Sequence, residues 1–218
     1  MTGSDRQGAE AGGTPRSQAW AAFDFDGTIT VRDSFRAFLR WRAGAAKYHA
    51  GLVRLAPAAA RWAVDRDLTR LKAAMVAIYL QGLSRAELDR AAEAFAEEAA
   101  PRLFRPDAVE TWGRLRAEGL RLAIVTASPE PVVAPFARRL GADGLIGTRL
   151  VYDAEGRVAG ALDGPNCRGA EKVRRLREAL GREVRLVAAY GDTEGDRELL
   201  AAADQGFMKV FTGRPEPR

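Results

Sequence analysis

The sequence predicts an open, doubly wound α/β fold: a parallel sheet covered by helices on both faces, with an all-helical cap inserted after its first strand. Three observations carry this. Short apolar runs recur along the 218 residues, at Trp20–Phe25, Leu120–Thr126, Leu145–Val151, Val184–Tyr190 and Phe207–Phe211. Segments of helical periodicity separate most of them, and strands that are apolar throughout and joined by helices imply a parallel sheet buried on both faces. Finally, about 70 residues between the first run and the second carry no strand signal, which is too long for a simple crossover.

Taken in order, residues 1–18 (MTGSDRQGAEAGGTPRSQ) are polar, lack the apolar core of a secretory signal, and are expected to form a flexible tail. Trp20–Phe25 is the first strand. The cap, residues 33–104, divides into helical stretches at Ser34–Ala43, Ala50–Val64, Leu68–Gln81 and Arg85–Ala100, with Pro57 expected to kink or interrupt the second. Residues 19–32 and 105–213 form the core, whose helices are expected at Asp107–Glu118, Glu130–Leu140, Gly169–Leu180 and Glu194–Ala203. Residues 214–218 are a short tail.

Composition narrows the class. Hydrophobic residues make up 47% and charged residues 29%, a globular balance. No apolar run approaches the roughly 20 residues that cross a bilayer. The single cysteine, Cys167, excludes an internal disulfide, and a cytoplasmic location is the expectation. His49, the sole histidine, has no partner motif and is expected on the surface or in cap packing.

Chemistry-bearing residues gather where the predicted strands end. "AAFDFDGTIT" delivers Asp24 and Asp26 to one strand end and turns away at Gly27. "AIVTASPE" places Thr126 and Ser128 after an apolar run. Lys172 stands in the first turn of a helix, where the dipole disfavours a cation and an anionic partner is implied. "YGDTEGD" places Asp192 and Asp196 after the next strand. In a doubly wound sheet all of these lie at the carboxyl edge, where ligands bind. Two close carboxylates repel unless a cation sits beside them, and Mg²⁺ suits hard oxygen ligands and phosphate.

These four motifs, in this order, resemble the haloacid dehalogenase superfamily of phosphatases from Phe23 to about Leu200. The helical insert, "DFDGTITVRDSF" and "LDGPNCRGAEKV" resemble its phosphoserine-phosphatase-like branch, subfamily IB, which includes bacterial phosphatidylglycerophosphatase-type enzymes. The resemblance implies a Mg²⁺-dependent phosphomonoesterase. Asp24 would be the nucleophile, forming an aspartyl phosphate, and Asp26 the acid and base. Mg²⁺ would take the Asp24 carboxylate, the Asp26 backbone carbonyl and Asp192, with Asp196 orienting a ligand or water. Thr126, Lys172 and the N–H groups near Phe25 and Ala127 would hold the phosphoryl oxygens. An acid at Asp26 favours phosphate-ester hydrolysis over dehalogenation; transfer of phosphate to a sugar stays open.

Asp33, Asn166 and Arg168 are the substrate-contact candidates. Asp33 stands where phosphoserine phosphatases typically carry a glutamate that holds the substrate amino group, and Gly195 where they usually carry asparagine. Between Arg32 and Lys72 ten Lys and Arg face three Asp, a local +7 in a chain of net +5, interleaved with Trp41, Tyr48 and Trp62. Such a stretch suits an anionic membrane surface at the inner face of the membrane, or simply a solvated helix face; no nucleic-acid module accompanies it. The substrate is expected to be an anionic lipid phosphate such as phosphatidylglycerophosphate, or a soluble metabolite such as phosphoserine. A non-catalytic phosphate- or membrane-binding module is the remaining alternative.

Overall fold

The computed structural model of the chain describes residues 19–216, so the expected tail at 1–18 lies outside the described residues. Among those residues five strands form one parallel sheet in the order β3-β2-β1-β6-β7. They are β1 (Trp20–Phe23), β2 (Arg121–Pro129), β3 (Gly144–Thr148), β6 (Leu186–Gly191) and β7 (Gln205–Met208). Helices α4 (Pro106–Ala117), α5 (Glu130–Leu140), α6 (Ala170–Leu180) and α7 (Arg197–Ala201) connect them. Alternate residues of β1 feed different cores: Ala21 and Phe23 join the larger, with Trp112, Phe136 and the cap, while Trp20 and Ala22 join the smaller, with Leu176 and Leu199. Burial on both faces is why β1, β2 and β6 read as apolar runs, whereas the edge strand β7 is mostly exposed.

The cap is built from α1 (Ser34–Asp65), α2 (Leu68–Tyr79) and α3 (Arg85–Leu103), each starting on a side-chain cap from Asp33, Asp67 and Ser84. The interruption falls at Gly44 (φ 72°, ψ 162°) and not at Pro57, which sits inside α1. Only glycine adopts that backbone without strain. Trp41 belongs to this cap's own packing: its ring stacks on Phe38 and tilts against Phe95, and its indole N–H donates to Glu98 Oε2 at 2.8 Å. His49 is exposed, with its ring against Tyr48.

The run Leu145–Val151 is not one strand. Thr148 is the last residue of β3 to pair with β2; after Arg149 the chain leaves the sheet as β4 (Leu150–Tyr152), antiparallel to β5 (Val158–Leu162). The hairpin docks on the α2–α3 turn, where Gly82 N–H donates to Val158 O (2.9 Å) and Val158 N–H to Leu83 O (2.8 Å). The cap is thus closed partly by a segment that follows β3 in sequence. No described helix is long and apolar enough to cross a membrane.

Candidate active site

Chain connections leave β1 and β6 toward opposite edges of the sheet, so the switch point of the fold lies between them. Asp24 is the first residue past β1, and its N–H donates to Tyr190 O at 2.8 Å, holding it against β6. Both acids lie beyond the last strand residue, Phe23, so it is the turn that brings them to one cavity and not the expected strand over Trp20–Phe25. Gly27 (φ 85°) is required twice over: by its backbone, and because a Cβ there would stand 2.2 Å from Asp192 Oδ2.

Lys172 is the hub. Its ammonium donates to Asp24 Oδ1, to Val125 O at 2.7 Å and to Asp196 Oδ1 at 2.7 Å, which uses all three donors. Asp196 is equally engaged, because its other oxygen accepts from Asp192 N–H, Thr193 N–H and the Thr193 hydroxyl at 2.9–3.2 Å. Asp192 differs: its Oδ1 is buried without a hydrogen-bond partner. Oxygens of Asp24, Asp192 and Asp196 lie within 4.8 Å of one another. An orphaned carboxylate oxygen among converging carboxylates fits a hard divalent cation such as Mg²⁺. Asp192 has a whole oxygen left for it and Asp24 a further lone pair on the oxygen that Lys172 holds, and Asp196 positions the loop.

The charges respond to this crowding. Burial pushes the Asp24 carboxyl up to about 7, with Asp196 and Asp26 adding to the rise and Lys172 opposing it. Burial likewise raises Asp192, helped by Asp196. For Asp196 burial acts upward, yet Lys172 and the Thr193 donors outweigh it and hold the carboxyl below its usual range. Lys172 is the mirror image: burial lowers it, and the two carboxylates carry it above its usual value.

Across the cavity Asp26 accepts from Ser34 N–H (2.6 Å) and from the Ser128 hydroxyl (2.5 Å). Thr126 is fully buried beneath the loop and accepts from Ser128 N–H at 3.0 Å, while Ala127 and Ser128 line the cavity. Asp33 lies at the cavity wall with one oxygen engaged as the α1 N-cap, on Arg36 N–H at 2.8 Å. Asn166 is buried, accepts from the Thr148 hydroxyl at 2.9 Å and also faces the cavity. Arg168 reaches Thr193 Oγ1 at 3.3 Å and crosses over Gly195, where a Cβ would collide with its guanidinium at 2.3 Å. Cys167 is buried and its thiol is pushed up to about 11, which makes it a poor nucleophile.

Two residues, Lys72 and Arg175, were not singled out for the site by sequence, and Ser128 was placed at its strand end without its bond to Asp26. Lys72 descends from α2 to donate to Ala127 O; burial lowers its ammonium, against the pull of Asp26, Asp33 and Asp24. Arg175 is 1% exposed and binds Glu171 and the carbonyls of Gly147, Asp163 and Pro165, fixing the loop that carries Asn166. None of these long-range partners has a local signature.

The model of the haloacid dehalogenase-like hydrolases matches residues 21–201, which spans every residue of this constellation from Asp24 to Asp196. The chain belongs to that family. Within the haloacid dehalogenase-like hydrolases it is 56% identical over 194 residues to the protein CicA of Caulobacter vibrioides, covering 89% of this chain and 87% of that one. Among solved structures it is similar to a protein of unknown function from Bordetella pertussis (TM-score 0.72, 26% identity, 86% and 88% of the two chains). It is also similar in fold to phosphoserine phosphatase captured as a phospho-aspartyl intermediate analogue (TM-score 0.59, 19% identity, 86% and 84%).

Proposed function

We propose that the chain is a Mg²⁺-dependent phosphomonoesterase that works through an aspartyl phosphate on Asp24. The observation that carries this is a division of labour between two acids in one cavity. Asp24 is gripped by Lys172 beside the metal-fitting carboxylates, while Asp26 stands apart on Ser34 and Ser128. A binding module has no use for both.

In this reading the Asp24 oxygen left free by Lys172 attacks phosphorus in line. Asp26 delivers a proton to the departing alkoxide, then takes one from the water that attacks the aspartyl phosphate; Ser128 and Ser34 N–H hold its carboxyl in place for both transfers. Lys172 neutralises charge on the phosphoryl oxygens, and Thr126 with the N–H groups near Phe25 and Ala127 completes the cradle. Asp24, Asp192 and the Asp26 carbonyl would hold Mg²⁺, which supplies charge neutralisation at the nucleophile and the phosphate.

For the substrate, an anionic lipid phosphate is the favoured class, with phosphatidylglycerophosphate leading, acted on in the cytoplasm at the inner face of the membrane. Arg40, Lys47, Arg54, Arg61 and Arg66 are exposed on α1 and its end, beside exposed Val53 and Val64. Each such cation contributes about 1 kcal/mol near an anionic surface. The Asp33 carboxylate is drawn to the α1 N-cap, which weakens it as an amino-group anchor. The fold likeness to phosphoserine phosphatase supports the second reading, a soluble metabolite such as phosphoserine. Release of p-nitrophenol from its phosphate ester with Mg²⁺, abolished by EDTA, tests the activity. Co-sedimentation with anionic vesicles at low salt, beside phosphate release from phosphatidylglycerophosphate and phosphoserine, tests the substrate; no sedimentation with faster phosphoserine turnover reverses the order of the two.

A further inference from the structure

The cavity that contains Asp24 and Lys172 measures about 740 Å³ and changes character along its depth. Its floor is the charged cluster. Its upper part, between α1 and α2, is lined by Leu52, Leu55, Trp62, Leu68, Leu71 and Met75. Of the cations on these helices and at their ends, Arg36 and Lys72 line the cavity beside Asp33 and Asp26, whereas Arg54, Arg61, Arg66 and Arg70 are exposed and do not line it. Tyr79, which also borders it, has its hydroxyl engaged with Tyr48 O at 2.7 Å. The amine and carboxylate of a small zwitterion would find few partners in that upper part, whereas a hydrocarbon chain would lose only water.

We infer that the upper chamber is a binding site for the apolar chain of the substrate alcohol, so that the enzyme takes the chain of an amphiphile into its cap while the phosphoryl group meets Asp24. The inference rests on the phosphatase reading of the same site. It differs from surface recognition: basic helices attract a bilayer from outside, whereas this chamber encloses methylenes next to the scissile ester. It so favours a lipid phosphate whose chain begins near that ester over phosphatidylglycerophosphate, whose ester is followed by a glycerol and a charged phosphodiester. It also gives Trp62 a place, as a wall of the chamber.

The test is a series of n-alkyl phosphates from ethyl to decyl, each below its micellar concentration, with the full chain, Mg²⁺ and no vesicles. The expected result is that kcat/KM rises about fourfold for each added methylene until the chamber fills. In Leu71→Gln and in Met75→Gln the decyl-to-ethyl ratio should fall at least tenfold. Comparing a monoacylglycerol phosphate with a prenyl phosphate then separates the two sources of such a chain. Mg²⁺-dependent hydrolysis that is flat or falling with chain length overturns the chamber and leaves the phosphatase reading intact. A chain-length-dependent change in tryptophan fluorescence on adding the same esters, lost in Trp62→Phe and without phosphate release from any, supports the chamber and overturns the phosphatase reading. Absence of both overturns both.

Discussion

At the scale of single residues, Asp24 carries two opposed demands. It must be buried to be held by Lys172, and burial with Asp26 and Asp196 nearby raises its carboxyl from the usual 3.8 to about 7. The linkage has a definite sign. A carboxyl raised in the folded state contributes stability that is fully present below about pH 4 and is lost as pH rises through about 7. Metal-free protein should therefore lose several degrees of Tm across that window, and Asp24→Asn should lose less; equal slopes in EDTA would show that Asp24 is not the group responsible. The same variant should lose a factor of a thousand or more in turnover, and more than a hundredth of wild-type rate would contradict a nucleophilic Asp24. Asp26→Asn should be milder with p-nitrophenolate as leaving group than with an alkoxide, because only the poorer leaving group needs a proton; equal slowing would remove Asp26 from that role. Arg175 is a different kind of residue. Arg175→Ala would leave the buried carbonyl of Gly147 without its donor and release the carbonyls of Asp163 and Pro165, while Glu171 keeps Arg174, at a cost of about 1–3 kcal/mol in thermal or denaturant unfolding. A change under about 1 kcal/mol would mean the loop before Asn166 is held otherwise.

At the scale of elements, sequence periodicity located the buried strands and the long helices to within a few residues because burial on two faces and amphipathic spacing are local properties. It failed where the decision was not local. Arg149 lies inside the run Leu145–Val151, yet it marks the point where the chain leaves the sheet edge for the β4–β5 hairpin. The hairpin itself left a trace, "YDAEGRV", in which Asp153 accepts from Arg157 N–H at 2.7 Å across a turn ending at Gly156 (φ 72°). In α1 the proline drew attention and the glycine did not. Gly44 has open space around it, so a larger side chain meets no clash, and only the backbone opposes it. Gly44→Ala should thus destabilise by about 1–3 kcal/mol; a neutral result in chemical denaturation would mean that the break relaxes into continuous helix.

At the scale of the molecule, the site was legible because four motifs, after β1, in β2, at the start of α6 and after β6, converge on a single switch point, a consequence of topology that the order of motifs already implies. What sits over that point was not legible. Lys72, the apolar chamber and the position of Arg168 over Gly195 arise from the packing of α1, α2 and the 192–196 loop on the core, and no spacing rule reports such contacts. The electrostatics follow the same logic. Lys172, Asp196 and the Thr193 donors form a closed set that would persist without a ligand, whereas Asp192 Oδ1 waits for a partner. The whole reading depends on Asp24 receiving the phosphoryl group. Asp26→Asn protein mixed with p-nitrophenyl phosphate and Mg²⁺, quenched in acid within seconds and digested, tests this by peptide mass spectrometry. One phosphoryl group should appear on the peptide containing Asp24 and be missing when Asp24→Asn is added. Steady turnover in Asp26→Asn with no phosphoryl group on that peptide, or with one elsewhere in the chain, would contradict it.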